Sequence, residues 1–212
     1  MLFIFDMGGV VTNTFQIDSL YNRLKLSEAG FDFVCKMHDK DIWEQLTIGK
    51  LSTDSFWTEF NRRIECLQHE KGIEKKAFHG FDTKLIQKAD CDLFRLFFHP
   101  VENRATVELI KNLKKNNRVV CGTNTIQSHW ENHTERGDYS YFHQTYASNK
   151  IGAAKPDTHF FELILEAECY RAEDAFFTDD RQENCNAAAS IGINAEHFTT
   201  AEDLTQKWSK YF

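Results

Sequence analysis

The amino-acid sequence predicts an α/β protein with a Rossmann-like parallel sheet core and an inserted all-helical cap. Three observations predict this fold: a short apolar run at the start, a long block with helical periodicity, and a later part in which apolar strands alternate with helices. Strands that alternate with helices form parallel βαβ units. We therefore assign residues 1–14 and 100–212 to the sheet domain and residues 15–99 to a cap.

The first predicted strand is the apolar run at residues 2–5. A continuous apolar run that is bounded by turn residues is typical of a buried strand. Asp6 follows it directly, and Gly8 and Gly9 then mark a turn. By itself, Asp6 is better explained by a turn or capping role than by a role as metal ligand or nucleophile.

Residues 15–99 show helical periodicity and few β-branched runs, which predicts an all-helical block. Trp43 and Trp57 are expected in the core of this block, whereas Arg62 and Arg63 are expected on an exposed charged face. We predict helices within the segments YNRLKL, FDFVCKMH, DIWEQLTIG, FWTEFNRRIECL and KLIQKADCDLFRLFF.

The remaining chain alternates between strand patterns and helix patterns. One helix is expected between the first two strands of this part, and a glycine at position 192 closes the last helix. The predicted strands lie at residues 118–121, 144–147, 175–178 and 193–198, and the other predicted helices at 106–115, 158–169 and 182–191.

The composition limits the classes of partner. The 212 residues carry a formal net charge of −7, which argues against a general nucleic-acid or anionic-membrane binder because phosphate groups would be repelled. Six cysteines without a CxxC pair favour reduced intracellular thiols. No apolar stretch approaches the roughly 18 residues that cross a bilayer. We therefore expect a cytoplasmic protein with no nucleic-acid or membrane partner, and the oligomeric state stays open.

Polar residues cluster where three of the predicted strands end. Asp6 follows the first strand, Thr123-Asn124 ends the second, and Asp179-Asp180 follows the strand at 175–178, while Lys155 precedes the helix at 158. Ligands bind beyond the carboxyl ends of parallel strands, so we expect these groups at one rim of the sheet. Carboxylates suit a divalent metal such as Mg²⁺, and lysine and threonine suit a phosphoryl group.

Four segments in order resemble the motifs of the haloacid dehalogenase-like hydrolase superfamily. They are FDMGGVV, VVCGTNT, IGAAKPD and FFTDDRQENCNAA. The helical block after the first segment resembles the helical cap of this family, and LTIGKLSTDSFW is similar to a recurring stretch of that cap. The resemblance covers nearly the whole sheet domain. It points to the helical-cap subfamily, with its sugar-phosphatase-like and epoxide-hydrolase N-terminal-domain-like members.

The resemblance implies roles for the residues that match the motifs. Asp6 would be the nucleophile that forms an aspartyl-phosphate. Lys155 would be the second catalytic residue and would steady Asp6 and the phosphate. Thr123 and the backbone of Asn124 would bind the transferred phosphoryl group, which implies a small phosphorylated metabolite as substrate.

The same resemblance implies a Mg²⁺ site at the nucleophile. Asp6, the backbone carbonyl of Gly8 and Asp180 would hold the ion, with Asp179 as a neighbouring or supporting group. Gly8 departs from the family pattern, because phosphatases of this family usually carry an aspartate there that protonates the leaving oxygen. General acid–base help of this kind contributes roughly 10²–10⁴-fold.

Three hypotheses follow from the glycine. The first is a Mg²⁺-dependent phosphatase whose substrate has a good leaving group, such as a sugar 1-phosphate, an acyl phosphate or an aryl phosphate. The second is a non-catalytic protein that binds a phosphorylated metabolite. The third is a 2-haloacid dehalogenase that needs no metal, which Asp179-Asp180 argues against. We rank them in this order.

The segment HWENH places His129 and His133 four residues apart. This spacing is compatible with zinc, but the glutamate that follows the first histidine in HExxH is absent. We therefore expect a solvated helix face here.

Overall fold

A five-stranded parallel sheet lies at the centre of the sheet domain. The computed structural model describes residues 1–13, 17–69 and 83–211. The strands are β1 Leu2–Phe5, β2 Arg118–Thr123, β3 Gln144–Ala147, β4 Ala175–Asp179 and β5 Asn194–His197. They pair in the order β3-β2-β1-β4-β5, so the predicted α/β fold and the parallel sheet are confirmed.

The residues that the structure describes form eleven α-helices. None of these helices combines the length and the apolar character that a membrane crossing requires. The helices are α1 Asp18–Leu24, α2 Glu28–Lys36, α3 Ile42–Thr47, α4 Thr53–His69, α5 Leu93–Phe97, α6 Arg104–Leu113, α7 Gln127–Arg136, α8 Ser148–Ile151, α9 Thr158–Glu168, α10 Gln182–Ser190 and α11 Ala201–Trp208.

Strand β1 is apolar along its whole length because both faces of the sheet are covered. Phe3 and Phe5 belong to one buried cluster with residues of α6 and α11, whereas Leu2 and Ile4 belong to a second cluster with residues of α9 and α10. A strand that is buried on two faces needs apolar residues at every position rather than at alternate ones. This packing fixes the position of Asp6 at the end of β1.

A third buried cluster lies in the helical block. It contains residues of α1 to α5 together with Ile126. Trp57 is buried there and Trp43 packs against it, as predicted from the sequence. The division of the chain into residues 15–99 and the two flanking parts remains a prediction, and its boundary at 14–15 lies outside the described residues.

The predicted helix over residues 84–98 is wrong for its middle part. A short 3₁₀ turn covers Thr83–Leu85, and the α-helix begins only at Leu93. The side-chain amide of Asn61 exchanges two hydrogen bonds of 2.8 Å with the backbone of Ala89, which takes the place of helical hydrogen bonds. Asp92 then caps α5 by accepting the backbone N–H of Arg95 at 3.2 Å.

Arg63 does not lie on an exposed face, so that prediction is wrong. Its side chain is buried, and the guanidinium donates to the backbone carbonyls of Val34, Cys35 and Lys40 at 2.7–3.0 Å. Glu59 accepts a further hydrogen bond from it at 2.8 Å. Burial of this cation is tolerated because every side of the guanidinium meets an acceptor.

Candidate functional site

The carboxyl ends of three strands bring the predicted site residues together. The register pairs Phe5 of β1 with Cys121 of β2 and with Thr178 of β4, so the residues that follow these positions lie at one edge of the sheet. The backbone N–H of Asp6 donates to Thr178 O at 3.0 Å, which ties the end of β1 to β4. The strand order reverses at β1, the place where open α/β sheets bind ligands.

Lys155 forms the central contact of the site. Its Nζ lies 2.7 Å from Asp6 Oδ1 and 2.6 Å from Asp179 Oδ2, and it donates to the carbonyl of Gly122 at 3.0 Å. An ammonium group has three protons, so these three acceptors use its full donor capacity. The ammonium therefore holds two carboxylates from two neighbouring strands in one place.

Burial and neighbouring charges both shift the pKa values of Asp6 and Lys155. Burial raises the pKa of Asp6, the charge of Lys155 opposes the rise, and the charge of Asp179 adds to it, which leaves the Asp6 pKa at about 6. Burial alone would lower the pKa of Lys155, but Asp6 and Asp179 together outweigh it, and the Lys155 pKa lies above its ordinary value. Lys155 is consequently a permanent cation beside the carboxylate of Asp6.

Asp179 and Asp180 have different surroundings although they are adjacent. Asp179 is fully buried, and it accepts hydrogen bonds from Lys155, from Asn184 Nδ2 at 3.0 Å and from the backbone N–H of Arg181 at 2.9 Å. Asp180 is only partly buried and lines the cavity beside Asp6. Asp179 thus holds Lys155 in the buried part of the site, while Asp180 lines the cavity.

Three carboxylates of the described residues are close enough to share one cation. Asp6, Asp179 and Asp180 each place one oxygen so that the three oxygens lie within 4.8 Å of one another. Gly8 lines the same cavity. Hard carboxylate and carbonyl oxygens are the ligands that Mg²⁺ prefers. The predicted donors are therefore brought together, although which of them bind a metal stays a prediction.

Asn124 positions the loop that carries Lys155. Its side-chain amide donates to the carbonyl of Lys155 at 2.7 Å and accepts the backbone N–H of the same residue at 2.8 Å. Thr123 is buried at the end of β2 and lines the cavity with Asn124. The side chain of Asn124 is thus engaged in the scaffold, and the binding of a phosphoryl group by its backbone stays a prediction.

The two glycines after Asp6 have opposite steric surroundings. Gly9 has a φ of +81°, and a β-carbon there would overlap the carboxylate of Asp180. Gly8 has open space where a β-carbon would point. Gly9 is therefore required by the close approach of Asp180, whereas a side chain at position 8 is sterically allowed.

A cavity of about 200 Å³ lies above these groups. Several residues that the sequence analysis did not select as site residues contribute to its wall. They are Thr12, Asn13, Phe98, His129 and His133.

The expectation of a solvated face at HWENH is wrong. His133 is buried, and the ring of His129 stacks on Phe98 with centroids 3.8 Å apart. Burial lowers the pKa of both histidines, that of His129 to about 3. One feature of the sequence could have placed both histidines at the cavity. They lie on α7, the helix that directly follows Thr123 and Asn124 at the sheet edge.

Three curated proteins are similar in sequence over most of this chain. The D-ribitol-5-phosphate phosphatase of Bacteroides thetaiotaomicron is 24% identical over 96% of this chain and 94% of its own length. The sesquiterpene phosphatase astK of Aspergillus oryzae is 24% identical over 92% of this chain and 88% of its own. The drimenol cyclase drtB of Aspergillus calidoustus is 22% identical over 84% of this chain, which spans only 31% of that protein.

Solved structures show the same fold. A HAD-family enzyme from Bacteroides thetaiotaomicron, crystallised with magnesium and inorganic phosphate, has a TM-score of 0.68 at 21% identity, with 98% of each chain covered. A 2-haloacid dehalogenase from Pseudomonas syringae pv. Tomato has a TM-score of 0.66 at 14% identity and covers 100% of this chain and 99% of its own. No protein-family model matches the chain. The resemblance that the four motifs predict is confirmed, and the chain has the haloacid dehalogenase-like hydrolase fold.

Proposed function

We propose that this chain, which has the haloacid dehalogenase-like fold, is a Mg²⁺-dependent phosphatase of a small phosphorylated metabolite. The observation that carries the proposal is the position of Lys155, whose ammonium holds Asp6 and Asp179 while Asp180 and Gly8 line the same cavity. A carboxylate nucleophile beside a fixed cation suits attack on a phosphate group, because both reactants are anionic.

The donor set fits Mg²⁺. Three carboxylate oxygens of Asp6, Asp179 and Asp180 can approach one ion. Asp179 already accepts hydrogen bonds from three residues, so Asp6, the Gly8 carbonyl and Asp180 are the donors that we assign to the ion. When bound, Mg²⁺ supplies charge neutralisation between the Asp6 carboxylate and the phosphate oxygens.

The chain's own groups perform the transfer. A carboxylate oxygen of Asp6 attacks phosphorus, the bond from phosphorus to the substrate oxygen breaks, and an aspartyl-phosphate forms. Thr123 and the backbone of Asn124 hold the phosphoryl oxygens, and Lys155 stabilises the charge. Water then attacks phosphorus, phosphate leaves, and the Asp6 carboxylate is restored.

The cavity favours a compact polar leaving group. Its volume of about 200 Å³ is small, and Thr12, Asn13, His129 and His133 bring hydrogen-bonding groups to its wall. One relative is named for ribitol 5-phosphate and another for a sesquiterpene. A cavity with this size and polarity, as the described residues line it, fits a sugar or polyol phosphate better than a sesquiterpene chain.

The phosphatase and the alternatives differ in three measurements. We expect release of inorganic phosphate from a panel of sugar, polyol, acyl and aryl phosphates, with loss of this activity in EDTA and recovery with Mg²⁺. Asp6→Asn is expected to remove turnover, whereas Asp203→Asn, at an exposed carboxylate on α11, is the matched control that retains it. Phosphate binding by calorimetry without any hydrolysis would favour the binding protein. Halide release from 2-haloacids in EDTA would favour the dehalogenase.

A further inference from the structure

Gly8 cannot move a proton, yet the phosphatase that we propose needs proton transfer at the leaving oxygen and at water. We propose that His133, held by Asp138, is the catalytic acid and base of this cavity. This inference rests on the proposed phosphatase function and identifies the group that replaces the missing aspartate. The reasons are the position of His133, the hydrogen bond to its Nδ1 and the packing of its ring.

His133 lines the same cavity as Asp6 and Gly8. Asp6, Lys155 and His133 thus face one cavity of about 200 Å³. In the proposed function the phosphate end of the substrate lies at Asp6 and Lys155. We place the rest of the molecule toward His133.

The imidazole of His133 has a fixed orientation. Its Nδ1 lies 2.8 Å from Asp138 Oδ2, and both side chains are only 5% exposed. Arg136 Nε donates to the same carboxylate oxygen at 2.9 Å, which holds the Asp138 side chain in place. The rings of Phe98 and Tyr139 lie 5.0 and 5.5 Å from the imidazole, centroid to centroid.

This arrangement separates the two ring nitrogens by role. Nδ1 donates its proton to Asp138, so Nε2 is the nitrogen that remains for a group in the cavity. A carboxylate behind a histidine fixes the tautomer and stabilises the imidazolium when it forms. Asp138 is thus a positioning residue, and His133 Nε2 is the site of proton transfer.

The groups around His133 act on its pKa in opposite directions. Burial lowers its pKa, and the hydrogen bond and charge of Asp138 oppose this effect, while the charge of Arg136 adds to it. The other charged groups around the cavity are Asp6, Lys155, Asp180 and Arg181, and a substrate phosphate adds negative charge that favours the imidazolium. His129 is a poorer candidate, because its pKa of about 3 leaves it neutral and weakly basic.

The proton balance closes over one turnover. When the bond from phosphorus to the substrate oxygen breaks, that oxygen takes the proton from His133 Nε2. When water then attacks the aspartyl-phosphate, Nε2 takes a proton from water, the oxygen bonds to phosphorus, and the bond to Asp6 breaks. One water is consumed, an alcohol and phosphate leave, and His133 is again protonated for the next substrate.

The first experiment compares the two half-reactions in His133→Gln. Glutamine keeps a hydrogen bond to Asp138 but transfers no proton. With 4-nitrophenyl phosphate, whose leaving group needs no acid, we expect a burst of nitrophenolate and an aspartyl-phosphate detectable by mass spectrometry. Steady-state turnover should fall at least about 10²-fold. Equal loss of the burst and of the steady state would indicate a structural role for His133 and would overturn the inference.

A rescue variant makes the test independent of folding. Gly8 has open space where its β-carbon would lie, so Gly8→Asp can supply a carboxylic acid at the position that phosphatases of this family use. We expect Gly8→Asp to restore turnover of His133→Gln at least tenfold, whereas Gly8→Asn, of equal size, restores nothing. Failure of this rescue contradicts the assignment of the missing step to His133.

The role of Asp138 is tested by kinetics. Asp138→Asn should lower kcat while KM stays near its parent value, and it should move the His133 limb of the kcat pH profile to lower pH, because a negative charge is lost. An unchanged pH profile would contradict the inference. If the parent protein releases no phosphate from any ester and Asp6→Asn changes nothing, the proposed function itself fails. If the parent is active and His133→Gln is equally active, the proposed function stands and only the role of His133 is overturned.

Discussion

Lys155 Nζ lies 2.7 Å from Asp6 Oδ1, and both side chains are buried. The same ammonium reaches Asp179 from the neighbouring strand β4. One cation thus pairs with two carboxylates at the point where the sheet order reverses, and a phosphate group in the cavity would add further negative charge. The electrostatics of the site therefore depend on this single lysine.

We predict that Lys155→Met removes turnover while the chain still folds. Methionine fills a similar volume without charge, so Asp6 and Asp179 lose their common cation. Phosphate release should fall at least about 10²-fold, by analogy with the loss of one transition-state donor. Removing one partner of a buried ion pair costs about 3–5 kcal/mol in the free energy of unfolding.

The control for this variant is Lys150→Met. Lys150 is an exposed lysine five residues earlier, and its Nζ donates to Gln127 Oε1 at 2.8 Å and lies 5.5 Å from the centroid of the Trp130 ring. The Lys150→Met variant should retain phosphate release, measured by phosphate assay, and its free energy of unfolding, measured in urea. Similar activity in both variants would contradict the role of Lys155.

We predict opposite results for alanine at the two adjacent glycines. Gly9→Ala places a methyl group against the carboxylate of Asp180 and at a φ of +81°. It should weaken Mg²⁺ binding at least tenfold in calorimetry, because Asp180 must move. Gly8→Ala meets open space and should change the free energy of unfolding by less than about 1 kcal/mol. Equal Mg²⁺ affinity in Gly9→Ala and in the parent would contradict the placement of Asp180.

We predict that Gly49→Ala loosens the contact between the helical block and α8. Gly49 has a φ of +73°, and an added β-carbon would overlap the backbone carbonyl of Asn149. The neighbouring contact, from Ser148 Oγ to the carbonyl of Thr47, is 2.7 Å long. Gly137→Ala is the matched control, because its φ of +77° imposes the same backbone strain of about 1–2 kcal/mol but its surroundings are open. Urea unfolding should show a larger loss for Gly49→Ala than for Gly137→Ala.

We predict that the contribution of Glu59 to the free energy of unfolding depends on pH. The hydrogen bond from Arg62 lowers its pKa most, burial opposes this, and Arg63 lowers it further, which brings the pKa to about 2 from 4.5. A lowered carboxyl pKa stabilises the folded state above pH 4.5, and this stabilisation is lost as the pH falls toward 2. Glu59→Gln should therefore lower the free energy of unfolding at pH 7, and the difference from the parent should shrink below pH 4.5.

Arg62→Gln distinguishes the contributions of Arg62 and Arg63, the two partners of Glu59, to the free energy of unfolding. The side chain of Arg62 is 53% exposed and that of Arg63 only 1%. An exposed pair is worth about 0–1 kcal/mol, so Arg62→Gln should cost far less than Glu59→Gln in urea unfolding at pH 7. A cost for Arg62→Gln as large as that for Glu59→Gln would show that the buried Arg63 is not the principal partner.

The sequence alone determined the sheet and the position of Asp6 at the end of its first strand. The apolar run before Asp6 and the alternation of strands and helices after residue 100 follow from local periodicity, which a single chain displays directly. Because parallel strands end at one edge, the pattern also predicted that Asp6, Thr123, Lys155 and Asp180 meet. Their roles remain proposals that the experiments above test.

Only the tertiary structure decided the surroundings of His133 and Arg63. Both were expected on solvated helix faces, because a charged or polar side chain on a helix is exposed in most proteins. Arg63 is buried because three backbone carbonyls from distant parts of the chain meet it, and Glu59, one turn earlier on α4, accepts a further hydrogen bond. His133 is buried because Phe98 packs against its ring and Asp138, five residues later, lies at its Nδ1. The contacts with Phe98 and with the three carbonyls join residues far apart along the chain and leave no local periodicity, so they become visible only when the helices pack.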